Sequence, residues 1–254
     1  DIRPGALAAT ADELRAQGAQ LIAETVDVSR GADVERLAQR TLDAFGAVQL
    51  LFNNAGVAAG GLVWEHSVKD WEWVLGVNLW GAIHGVRTFV PIMLAQGDDC
   101  HVVNTASVAG LLSPQLMGVY NVSKHGVVTL TETLYQDLRV TGARIGVSLL
   151  CPAFVPTGIA QSQRNRPDEL RDATAPTASM IASQKASEQA VSSGRISAAA
   201  VAQTTFDAIR DNRFYVITHP KILASVELRL NDVIGQRNPS DPFSFKPDVA
   251  HRPD

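Results

Sequence analysis

Apolar positions recur along this chain at two alternating periods. Residues 6–17 and 34–45 show helical spacing; in the second run Leu37, Ala38, Thr41, Leu42 and Phe45 fall on one side, as residues three and four apart do on a helix. Gly18 and Gly46 follow these runs as stop signals, because glycine takes the left-handed position that ends many helices. Longer helical stretches cover residues 68–94, with Pro91 marking a bend, then 119–140 with Gly142 after it, and 198–210. Short strand-like runs lie between them at residues 21–26, 48–52, 101–105, 145–150 and 214–217. Strands alternating with helices predict parallel β-α-β units. The fold class is α/β, a doubly wound parallel sheet with helices on both faces.

The chain has 254 residues, enough for one large α/β domain. We assign that domain to residues 1–237. The Pro-rich run from Asn238 reads as an extended tail over 238–254. Residues 161–195 are polar and small, rich in Ala, Ser, Gln and Arg. A formal net charge of -4 gives no support for binding nucleic acid or an anionic membrane. No run of eighteen apolar residues exists, so no membrane span is expected. The first residues lack signal-peptide character, and the expected compartment is cytoplasmic. Cys100 and Cys151 lie in strand-like runs and read as buried thiols. The six histidines have no metal-ligand spacing, so no zinc site is expected.

The chemistry centres on Tyr120 and Lys124, at the spacing Y-x-x-x-K. Positions i and i+4 share a helix face, so phenol and ammonium can enter one pocket. A nearby cation favours phenolate and lowers a tyrosine pKa, making Tyr120 a candidate general acid/base. Ser107 can offer a second hydrogen bond to a substrate oxygen. The pair alone is weak, since it arises by chance in roughly one sequence in twenty of this make-up.

The wider constellation is more specific. It comprises Asp27-Val28, Asn53-Asn54-Ala55-Gly56, Asn78-Leu79-Trp80-Gly81, Asn104-Thr105-Ala106-Ser107, Tyr120-Asn121-Val122-Ser123-Lys124 and Cys151-Pro152-Ala153-Phe154-Val155-Pro156-Thr157. In this order and spacing the chain resembles the short-chain dehydrogenase/reductase family, with a Rossmann-like sheet. The resemblance runs to about Tyr215 and thins over residues 158–194; in the family, residues 161–195 correspond to a mobile substrate-covering segment. It implies catalytic roles for Asn78, Ser107, Tyr120 and Lys124, with Asn78 supporting a water-linked proton relay through its carbonyl. It implies cofactor contacts from Asp1, Asp27, Val28, Asn54, Ala55, Gly56, Tyr120, Lys124, Pro152, Ala153, Val155 and Thr157. Asp27 would accept from the adenine amino group, or it or Ser29 would cap a helix. The family has Gly where Ala153 stands. Ser107, Leu112, Met117 and Tyr120 would meet substrate. With Leu111, Leu116 and Val119 also apolar, the pocket suits an uncharged substrate, unless these side chains pack a loop onto the core. Trp64, Trp71, Trp73 and Trp80 cluster around the long helical stretch, at a family dimer face or within the subunit.

The family also opens with a strand, a Gly-rich phosphate turn and a helix. No such motif opens this chain. By resemblance the first βα unit and the second strand are missing, roughly thirty to forty residues of a first βαβ unit, and the central strand between 21–26 and 48–52 with them. The reading is a fragment, or a natural short form that has lost cofactor binding. Asp1 stands where an acidic residue holds the adenosine ribose in family members. That favours NAD(H), while Arg3 leaves NADP(H) possible.

The resemblance implies reversible hydride transfer between a nicotinamide cofactor and a secondary alcohol or ketone, without metal, in a homodimer or homotetramer. One alternative is a 3-oxoacyl-thioester reductase that docks an acyl carrier on Arg139 and Arg144. Another is a catalytically silent relative acting as a binding or oligomerisation module.

Overall fold

The computed structural model describes residues 1–244. Its four strands, β1 (Leu50–Asn53), β2 (Cys100–Thr105), β3 (Ile145–Cys151) and β4 (Tyr215–Ile217), form one parallel sheet in the order β1-β2-β3-β4. Eight α-helices accompany them among the described residues: α1 (Pro4–Ala16), α2 (Gly31–Phe45), α3 (Val68–Leu75), α4 (Gly81–Gln96), α5 (Gly118–Thr141), α6 (Ala178–Ser192), α7 (Ala198–Arg210) and α8 (Leu223–Ile234). Gly46, Gly97 and Gly142 end α2, α4 and α5 in the left-handed conformation.

Neighbouring residues of the middle strands feed opposite cores. Val102 packs with Val34, Ala38, Phe89, Met93, Leu134 and Val147, the core beneath α2, α4 and α5. Val103 packs with Leu150, Ala208 and Val216 beneath α7. Burial on both faces is why these strands read as continuous apolar runs. Under the first face, Asn53 Nδ2 donates to Asn104 Oδ1 at 2.8 Å, Asn104 Nδ2 to Thr131 Oγ1 at 3.0 Å, and Thr131 Oγ1 to the Val127 carbonyl at 2.6 Å. Those side-chain links tie β1, β2 and α5 into one register.

Two sequence readings are corrected. Residues 21–26 form no strand: they are irregular, and Val26 N donates to the Asp1 carbonyl at 3.2 Å. Among the described residues no strand lies between this run and β1, so a ladder has no partner there, and Leu50 and Phe52 of β1 are exposed. The stretch at 68–94 is not one helix bent at Pro91. It breaks earlier, at a π-turn over Gly76–Trp80, and Pro91 sits inside α4. A π-turn inserts an extra residue and re-aims the helix, often at functional positions. Helices α6 and α8 went unread, the first within the small polar segment. The beginning of the expected tail folds back, with Arg237 Nε and Ser240 N donating to Asp232 at 3.1 and 2.9 Å. The rest of the tail, 245–254, lies outside the described residues.

The tryptophans divide. Trp73 is buried at 2% exposure against Val57, Val74 and Val119, while Trp64 and Trp80 are exposed. Both thiols are buried, and burial pushes Cys151 up to about 12.

Candidate active site

The C-terminal ends of parallel strands are where backbone turns open a crevice. Here the turns after β1, β2 and β3 carry Asn54-Ala55-Gly56, Ser107 and residues 152–157. They surround a cavity of about 1080 Å³. Helix α5 brings Tyr120 and Lys124 into it. Every site residue named from the sequence lines this cavity except Asn78.

Spacing on α5 puts Lys124 beside Tyr120, with its Nζ 5.8 Å from the ring centroid. Lys124 Nζ donates to the Thr105 carbonyl at 2.9 Å, which fixes it against the end of β2. Ser107 Oγ donates to the Pro152 carbonyl at 3.3 Å and accepts from Ala109 N at 3.2 Å. It also stands beside the Tyr120 phenol, where it favours the ionised form.

The expected lowering of the Tyr120 pKa is not what the site produces. Burial raises it above the usual phenol value, and Ser107 only opposes that rise. Lys124 is desolvated as well, and burial holds it to about 8. Each burial disfavours the charged form, and at 5.8 Å from ring to ammonium neither group offsets the other's loss of water.

Asn78 stands behind the cavity in the π-turn. Its Oδ1 accepts from Val57 N at 2.8 Å, and its Nδ2 donates to the Val57 carbonyl and to Ser123 Oγ, each at 2.9 Å. Ser123 Oγ donates in turn to the Tyr120 carbonyl at 2.8 Å. Its side chain thus fastens the turn after β1 to α5, a task the sequence reading did not foresee.

At the other end of the cavity lie Asp1, Arg3, Asp27 and Val28. Asp1 Oδ1 accepts from Arg3 N at 2.8 Å. Asp27 Oδ1 accepts from Ser29 N at 3.0 Å and Ser29 Oγ at 2.7 Å. That is a local turn rather than a helix cap, since Arg30 is the residue before α2 and caps with no side chain. Ala153 N donates to His219 Nδ1 at 3.3 Å, and Thr157 Oγ1 accepts from Ile159 N at 3.4 Å. Asp1 and Asp27, a small-residue turn and a Tyr-Lys pair therefore share one crevice. A Cβ on Gly56 would lie 3.6 Å from Lys124 Nζ, so this turn runs close against the Tyr-Lys pair with no side chain of its own between. These residues fit a nicotinamide dinucleotide.

Of the apolar residues before Tyr120, Leu112 and Met117 face the cavity. Val119 and Leu111 pack into the core instead. Sequence reasoning missed Trp73, Asn165, Leu170 and Phe243 as wall residues; their separation in the chain hides them. Neither candidate carrier-docking cation stands alone: Arg139 stacks on Tyr135 and Arg144 pairs with Asp99 at 3.5 Å.

A family model described as short chain dehydrogenase matches residues 1–168. A CLA biosynthesis dehydrogenase/reductase of Lactiplantibacillus plantarum is 32% identical over 237 residues, 92% of this chain and 82% of that protein. A C alpha-dehydrogenase of Sphingobium sp. is 30% identical over 247 residues, 95% of this chain and 79% of that protein. Among solved structures, a short chain dehydrogenase/reductase from Burkholderia phymatum in complex with NAD is 59% identical, with a TM-score of 0.95 over 96% of this chain and 87% of that one.

Proposed function

Because the chain belongs to the short-chain dehydrogenase/reductase family and is an NAD(P)-dependent oxidoreductase acting on a secondary alcohol or ketone, we propose that Tyr120 is its acid/base and that its substrate is apolar. A bound nicotinamide would accept or supply the hydride at the substrate carbon. The chain's own residues handle the proton and the oxygen. Tyr120 protonates the oxygen in reduction and takes the proton in oxidation. Ser107, beside the Tyr120 phenol, orients that oxygen. Lys124 supplies positive charge where phenolate develops, in a site dry enough for that charge to act strongly. Asn78 keeps the turn after β1 against α5, and its main-chain carbonyl serves the proton relay.

The single observation that carries this reading is the buried Ser107-Tyr120-Lys124 cluster in an apolar-walled cavity containing Trp73, Leu112, Met117 and Leu170. Cyclohexanol oxidation with NAD should be faster, as kcat/KM, than lactate oxidation, and Tyr120→Phe should lower it by about a thousandfold or more with an unchanged circular dichroism spectrum. Retained turnover in that variant would remove Tyr120 from the mechanism. A preference for lactate would overturn the apolar reading.

NAD(H) is the proposed physiological cofactor. Asp1 at the adenosine end would repel a 2′-phosphate, and the Burkholderia phymatum relative holds NAD. The kcat/KM for NAD should exceed that for NADP by about tenfold or more, as one unfavourable charge contact gives. An equal or reversed ratio would shift the assignment to Arg3 as a 2′-phosphate partner.

A further inference from the structure

We infer that Asp70 and Arg166 form a buried latch that holds residues 158–172 over the substrate end of the cavity and so sets substrate affinity. The inference rests on the proposed alcohol-binding role of that cavity. Arg166 and Asp70 are 7% and 4% exposed. Arg166 Nη1 donates to Asp70 Oδ1 at 2.6 Å, its Nε to the Leu170 carbonyl at 2.7 Å and its Nη2 to Asp172 Oδ2 at 3.3 Å. Its guanidinium carbon lies 5.1 Å from the centre of the Trp73 ring. One planar fork thus engages α3, its own loop and an aromatic face together, which an ammonium could not do.

Both ends of the latch are anchored. Asp70 Oδ2 accepts from Ser67 N at 3.0 Å while Asp70 N donates to Ser67 Oγ at 3.2 Å, a capping box that fixes the carboxylate at the start of α3. Ser67 Oγ also donates to Asp172 Oδ2 at 2.9 Å, and Lys69 Nζ to the Arg171 carbonyl at 2.9 Å. Burial pushes Asp70 up, yet contacts with His66, Arg166 and Ser67 N bring it down to about 2. His66 Nδ1 lies 3.5 Å from Asp70 Oδ2, and neither ring nitrogen makes a hydrogen bond.

Neither the Asp70 nor the Arg166 side chain lines the cavity, but their neighbours do: Asn165, Pro167 and Leu170 from the loop, Trp73 and Glu72 from α3. They are positioning residues. Removing one partner of a buried pair strands the other's charge, so the loop should lift rather than relax in place.

The test uses Asp70→Asn, which keeps an acceptor for Ser67 N, with Arg166→Lys and Arg166→Met. Amide exchange over residues 158–172 should quicken about tenfold or more. The KM for cyclohexanol should rise about tenfold while the KM for NAD stays within about twofold, and Arg166→Lys should fall between wild type and Arg166→Met. Unchanged exchange, or equal rises in both KM values, would overturn the latch. If Arg166→Met fails to fold, the near-isosteric Asp70→Asn carries the same two readouts. A wild type inactive on cyclohexanol would count against the proposed substrate, and exchange alone would then decide the latch.

Discussion

Lys124 illustrates how a functional residue acts against the fold that contains it. Its pKa is about 8 in the folded protein, against an ordinary value near 10.4 in an unfolded chain. A base whose folded pKa is depressed binds fewer protons folded than unfolded between those values, so stability rises with pH across that window. Below it the penalty is fully present. Lys124→Met should therefore be more stable than wild type near neutral pH, by about 2 kcal/mol after losing the bond to Thr105. Urea unfolding of both proteins at neutral pH and at pH near 10 measures this, and the gap should close at the higher pH. A less stable variant at neutral pH would refute the account. The same residue marks where sequence reasoning stopped. The i, i+4 spacing placed it beside Tyr120 correctly, but spacing carries no information on burial, and burial sets both pKa values.

At the scale of elements, close approaches decide what the chain tolerates. A Cβ on Gly85 of α4 would come 1.9 Å from Asn53 Oδ1. The Asn53 side chain belongs to the Asn104–Thr131 network and cannot retreat without breaking it. Gly85→Ala should cost about 2–4 kcal/mol through overpacking and lost hydrogen bonds. Gly5→Ala in α1, with open space around it, should be neutral or slightly stabilising. Thermal unfolding midpoints compare the two, and similar midpoints would dismiss the packing argument. Period and punctuation made most elements legible: Gly46 and Gly142 stop α2 and α5 as read. The π-turn did not announce itself, since Pro91 was the visible helix breaker and the observed break comes fifteen positions before it, at Gly76. Residues 21–26 were misjudged because strand character is a property of a pair, and an apolar run does not reveal its partner.

For the whole molecule, the sheet order and the site emerged from the same fact. Parallel strands point their C-terminal ends one way, so motifs separated by up to a hundred residues converge there. That let Ser107, Tyr120, Lys124 and the turns after β1 and β3 be grouped from their order alone. The cavity's opposite wall followed no motif. Arg166 joins α3 across nearly a hundred positions through a pairing that composition does not betray, and Phe243 arrives from beyond α8.

The two buried thiols have a practical side. Cys100 is buried, and burial pushes the Cys151 thiol up to about 12. A thiol that is neither accessible nor ionised resists alkylation. The native chain is therefore silent toward maleimide dyes, and a single cysteine introduced at exposed Glu169 would be the one position to take a fluorophore, giving an optical reporter on the loop beside Arg166 without first engineering a cysteine-free background.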